Sequence, residues 1–121
     1  MKKILLIDDD ILKKALKIML KPLGYEIILA DDGEEGLKQV DEHGEDISLI
    51  FLDMMMPGMD GLRFLKILKE ERKMNTPVIA LSSVNDPDHI HKVLKAGAHD
   101  YCVKPAKAEE LKKRALKILG N

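Results

Sequence analysis

Residues 47–61 read ISLIFLDMMMPGMDG: an apolar run, one carboxylate at Asp53, then a turn marked by Pro57, Gly58 and Gly61. A nearly continuous apolar run suits a strand covered on both faces, so the stretch predicts a strand at Ile47–Asp53 that ends on an acid. Four further runs predict strands: Lys3–Asp8 (KILLID), Tyr25–Ala30 (YEIILA), Val78–Ser82 (VIALS) and Asp100–Val103 (DYCV). Helical spacing separates them. Leu12, Leu16, Met19, Leu20 and Leu23 share one side of a first helix whose lysines are at 13, 14, 17 and 21. Leu62, Leu65 and Leu68 recur at threefold spacing in a third, and Leu111, Ala115, Ile118 and Leu119 mark the last. Asp60 and Asp86 stand at N-cap positions, with Pro87 in the first turn after Asp86, and Gly97 marks a helix end. A second helix, roughly 34–43, carries Gly36 in its interior at a cost of about 1 kcal/mol relative to alanine.

This alternation predicts an α/β fold, a (βα)5 unit with a parallel sheet, right-handed crossovers and helices on both faces, as a single domain over residues 1–121. A chain of 121 residues, 45% hydrophobic and 34% charged, buries enough surface to fold alone. Its 20 basic and 21 acidic side chains nearly cancel, which gives no electrostatic footprint for nucleic acid or an anionic membrane. The single Cys102 excludes an internal disulfide and suits a reducing compartment. No apolar run approaches the ~20 residues that span a bilayer, and the opening MKKILLIDDD lacks a signal peptide's apolar region; a cytoplasmic location is expected.

In an open α/β sheet, ligands bind beyond the carboxyl ends of the strands. There the first strand runs into Asp8, Asp9 and Asp10, the third ends in Asp53, the fourth in Ser82 and Ser83, and the fifth runs into Lys104 and Pro105. Carboxylates crowded at one edge repel one another, and a hard cation such as Mg²⁺ relieves the repulsion while keeping coordinated water. Lys104 adds a fixed positive charge and Ser82 a hydroxyl, so the edge suits a phosphate. Asp53 is then the candidate nucleophile, forming an aspartyl phosphate.

KILLIDDD (3–10), LIFLDMMMPGMDG (49–61), PVIALSS (77–83) and AGAHDYCVKP (96–105) together resemble the receiver domains of two-component response regulators, over residues 3 to about 119. The resemblance implies a flavodoxin-like, doubly wound sheet of order 2-1-3-4-5. It implies Asp53 as phosphoacceptor, and a Mg²⁺ site made of Asp9, Asp8, Asp53 and the backbone carbonyl of Met55. Ser82 and Tyr101 take the switch positions, Lys104 the phosphate-binding lysine, and Lys104–Pro105 a cis bond. The implied partners are a histidine kinase or histidine phosphotransfer protein, and a downstream protein on the face built from helix four, strand five and helix five. Neither nucleic acid nor membrane is expected as a partner, and the chain is expected to be a signalling protein that catalyses its own phosphorylation and dephosphorylation, not a turnover enzyme. Lys13, Lys14, Lys17, Ile11, Ala15 and Ile18 are the candidate kinase-facing residues. Asp10 is expected at a helix N-terminus, Met54 and Met56 as packing residues, and the histidines on the surface.

Met55 and Val84, two residues beyond Asp53 and Ser82, are apolar and cannot orient water, so slow self-dephosphorylation is expected. Ser83 stands where the family often has alanine. Two other chemistries compete. The pair Asp8 and Asp10 after a strand suits an aspartate-nucleophile phosphohydrolase, but the acid with the strongest context is Asp53, on the third strand. A flavin module of the same architecture would need a phosphate loop rich in Gly, Ser or Thr, where this chain has three acids.

Overall fold

The computed structural model describes residues 2–8, 12–56 and 58–120. Five strands, β1 (Lys3–Ile7), β2 (Glu26–Ala30), β3 (Ile47–Asp53), β4 (Val78–Ser82) and β5 (Asp100–Val103), form one sheet. All its pairings are parallel, in the order β2-β1-β3-β4-β5. The helices are α1 (Leu12–Leu20), α2 (Gly33–His43), α3 (Gly61–Lys66), α4 (Pro87–Lys95) and α5 (Ala108–Leu119). The direction of winding reverses between β1 and β3, which opens a crevice at their carboxyl ends.

Successive strand residues point to opposite faces, and here both faces are covered. Leu5, Ile7, Ile50, Leu52, Val78 and Ala80 pack with Leu37, Val40, Phe64, Leu65, Leu68 and Val93 from α2, α4 and the segment that begins with α3. Ile4, Leu6, Leu49, Phe51, Ile79 and Leu81 pack with Leu16, Leu20, Leu111 and Ala115 from α1 and α5. Two-sided burial is the reason these strands lack polar alternation, and each fully buried Leu, Ile or Phe contributes roughly 1.5–3 kcal/mol.

Asp60 caps α3 by accepting from the Arg63 N–H (2.9 Å), and Asp86 caps α4 by accepting from the Asp88 N–H (3.3 Å). The third helix departs from its expected form. After Lys66 the chain opens into a π turn, Ile67–Glu71, closed by the Arg72 N–H donating to the Ile67 carbonyl at 2.8 Å. Threefold leucine spacing does not distinguish the two, because Leu65 and Leu68 stay buried through the change. Inside the turn Lys69 bends inward and donates to the Thr76 carbonyl at 2.5 Å, and burial lowers its pKa. Gly36 also has its reason: a Cβ there would sit 2.5 Å from Ile7 Cδ1, so with any other residue the Ile7 side chain would have to shift for α2 to lie this close to β1.

Candidate functional site

Strand register assembles the site. Ile7 is level with Leu52, so Asp8, one residue on, comes up beside Asp53. Asp53 is level with Leu81, which puts Ser82 one step beyond it, and Ser82 is level with Val103, just before Lys104. Backbone bonds continue the sheet into these loops: Asp8 N–H to the Ala30 carbonyl (3.1 Å), Met54 N–H to Leu81 (2.8 Å) and Lys104 N–H to Ser82 (2.7 Å).

Asp8 and Asp53 are each only 3% exposed. The Lys104 ammonium lies 3.3 Å from Asp53 Oδ2 and 3.6 Å from Asp8 Oδ2, bringing together residues 96 positions apart in the chain. The second oxygen of Asp53, Oδ1, accepts from the Met55 N–H at 2.9 Å, which fixes the carboxylate against the turn that follows. Among the described residues, two buried carboxylates around one ammonium leave local negative charge, and their hard oxygens suit a divalent cation that keeps water. Asp9, expected as a direct ligand, lies outside the described residues, as do Asp10, Ile11 and Pro57. Among the described residues no group of three or more His, Cys, Asp or Glu is placed to hold a metal. The Lys104–Pro105 peptide is cis.

Ser82 is fully buried, and its hydroxyl oxygen accepts from the Val84 N–H at 3.1 Å. Tyr101 is buried too, with its hydroxyl donating to the Val84 carbonyl at 2.6 Å. The backbone of Val84 therefore joins the two expected switch residues. No side-chain pattern signals such a link.

His89 corrects the expectation of surface histidines. It is half-buried on α4, its ring edge-on to Tyr101 with centroids 6.0 Å apart and planes at 81°, and its Nε2 is buried with no hydrogen-bond partner among the described residues. Its fourfold spacing from the buried Val93 was the available signal. Lys13 is another correction. It pairs with Asp31, so it is not a free docking charge, whereas Ile18 on the same helix is 75% exposed. Met54 and Met56 are buried, as expected of packing residues. On the far side, Arg114 grips Asp100 with bonds of 2.9 and 2.8 Å and Glu110 at 3.1 Å; the hydrogen bond to Asp100 is the main cause that raises its pKa.

Comparisons with known proteins identify the family and the fold. The family model for the response regulator receiver domain matches residues 4–116. The transcriptional regulatory protein AfsQ1 of Streptomyces coelicolor is 37% identical over 116 residues, covering 96% of this chain and 50% of that protein. The chain spans about half the length of several such curated relatives. Among solved structures, the Francisella response regulator 1452 receiver domain superposes with a TM-score of 0.88 at 33% identity, over 99% of this chain and 98% of that one. The chemotaxis protein CheY4 of Vibrio cholerae gives a TM-score of 0.86 at 29% identity, over 98% of each chain.

Proposed function

The chain belongs to the response regulator receiver domain family of two-component signalling systems, and on that premise we propose that Asp53 is its phosphoacceptor. The observation that carries this reading is the Lys104 ammonium within 3.3 Å of Asp53 and 3.6 Å of Asp8, both acids buried at the crevice. An oxygen of Asp53 attacks the phosphorus of a phosphohistidine, or of a small acyl phosphate. The P–N bond (P–O for the acyl phosphate) breaks, the donor leaves with its electron pair, and a carboxyl–phosphate bond forms. Little covalent chemistry falls to the protein, so positioning and charge neutralisation carry the rate.

In this reading Lys104 neutralises one phosphoryl oxygen, which its closeness to Asp53 supports. Asp8 and Asp53, with Asp9 and the Met55 carbonyl carried over from the family pattern, would hold Mg²⁺, which when bound supplies further neutralisation of the phosphoryl oxygens. The Ser82 hydroxyl donates to a phosphoryl oxygen by leaving its bond with Val84, and Tyr101 responds through the same residue. The changed surface is that of α4, β5 and α5, where Leu94 and Val103 are each 41% exposed. This is signalling by population shift between two conformers.

Upstream, the donor is a histidine kinase or histidine phosphotransfer protein, met in part by Ile18 on α1. No nucleic-acid or membrane contact is assigned to this domain, and a cytoplasmic site of action belongs to the same reading. Among the described residues no helix is long and apolar enough to cross a membrane. The chain is read as a phosphoacceptor rather than a turnover enzyme.

Intact mass spectrometry with acetyl phosphate and Mg²⁺ tests the assignment. One phosphoryl mass is expected on the wild type and none on Asp53→Asn, with unchanged circular dichroism; labelling that survives the substitution rejects it. Met55 and Val84 offer incoming water no polar group, so the phosphoryl group is expected to persist for minutes or longer. A lifetime of seconds contradicts that role.

A further inference from the structure

The segment that starts with α3 and the helix α4 leave a groove of about 310 Å³ between them, away from the crevice, lined by Leu62, Lys66, Lys92, Lys95 and Ala96. Leu62, Ala96 and the aliphatic lysine stems give it an apolar floor, and the ammonium groups form its rim. Next to Ala96, the Lys69 side chain lies against Gly97, its Cγ 2.8 Å from where a Cβ would stand. With φ at +121° and no room for a side chain, position 97 is restricted to glycine.

The charges on the rim are not spent within the fold. Some basic side chains elsewhere do find acids: Lys13 with Asp31, Arg72 with Asp41 at 2.8 Å, Arg114 with Asp100 and Glu110. Among the described residues no carboxylate lies within the 4.0 Å of an ion pair from Lys66, Lys92 or Lys95. Local acids stand at pairing distance in the sequence. Asp88 precedes Lys92 by four and Glu70 follows Lys66 by four, spacings that pair readily on a regular helix. The π turn at Ile67–Glu71 interrupts that spacing on the Lys66–Glu70 side, and such turns recur at functional sites.

We propose that the α3–α4 groove is a docking surface for an acidic amphipathic helix of a protein partner, whose apolar residues seat on Leu62 and Ala96 while its carboxylates pair with Lys66, Lys92 and Lys95. Charge complementarity selects the occupant, and the apolar floor distinguishes it from a polyanion, which would use the ammonium groups alone. The surface stands in the unmodified protein and does not depend on Asp53 as phosphoacceptor.

The test uses the whole chain, ¹⁵N-labelled and unphosphorylated, titrated with a helical peptide that carries leucines on one stripe and glutamates flanking it. Amide shifts are expected around Leu62, Lys66, Lys92 and Ala96. Binding is expected to weaken about tenfold in the triple variant Lys66→Glu, Lys92→Glu, Lys95→Glu, and similarly for a peptide whose leucines are replaced by serine. The three lysines are exposed, so the variant keeps its fold, and its unchanged mass shift with acetyl phosphate serves as a separate control. No shifts at about 1 mM peptide, shifts centred elsewhere, or indifference to either change overturns the proposal. So does equal or tighter binding of duplex DNA or heparin at the same residues, which would make the groove a polyanion site.

Discussion

At the amino end of β1, Lys3 lies 3.4 Å from Glu26 and 3.8 Å from Asp46, both acids at least half exposed; at the other end, Asp8 and Asp53 are buried around Lys104. Among the described residues the ingredients match: one ammonium and two carboxylates from neighbouring segments. Solvent makes the difference. At the amino end water screens the half-exposed acids. At the carboxyl end burial removes that screening, so the same net charge becomes a demand for another cation or for a group the ammonium can bind.

Four measurements can break or sharpen this contrast. Lys104→Met is expected to have the largest effect, costing roughly 3 kcal/mol in urea unfolding, because it withdraws a cation from two buried carboxylates. A cost below about 1 kcal/mol would place the two ends on an equal footing. Next, Mg²⁺ at a hundredfold excess over its Kd is expected to stabilise the wild type by about 2.7 kcal/mol, and Asp53→Asn much less. Equal stabilisation of both would remove Asp53 from the ion's ligands.

Cys102 supplies a buried acid that keeps its proton instead of finding a cation. Burial, its main cause, pushes the thiol from 9.0 to about 11. The unfolded chain releases this proton first as pH rises, so the contribution is complete below pH 9 and disappears on passing about 11. Cys102→Ala should lack that component, and urea midpoints of the two proteins at the two extremes check it; parallel curves would refute the sign. The smallest effect is expected at the exposed cluster, where Lys3→Met should cost less than about 1 kcal/mol.

Much of this was readable in the chain itself. Two-sided burial writes itself as uninterrupted apolar runs, so the five strands appear within one residue of their limits, β1 ending at Ile7 rather than Asp8 and β2 starting at Glu26 rather than Tyr25. The polar strand ends pointed to Asp8, Asp53, Ser82 and Lys104, because register in a parallel sheet brings such ends to one edge. Other features were hidden for physical reasons. Gly36 looks like a flaw in a helix until α2 is seen against Ile7. The π turn keeps its leucines buried, so periodicity does not register it. His89 reads as a surface residue until Tyr101 is placed beside it.

Val84 contributes one hydrogen bond donor to Ser82 and one acceptor to Tyr101, both from its main chain. Alanine scanning would pass over this residue without touching the junction, since every substitution except proline preserves both groups. Whatever information travels from the crevice to the aromatic ring by this route is protected from ordinary mutation, and evolution is free to vary the Val84 side chain for other ends, such as the admission of water.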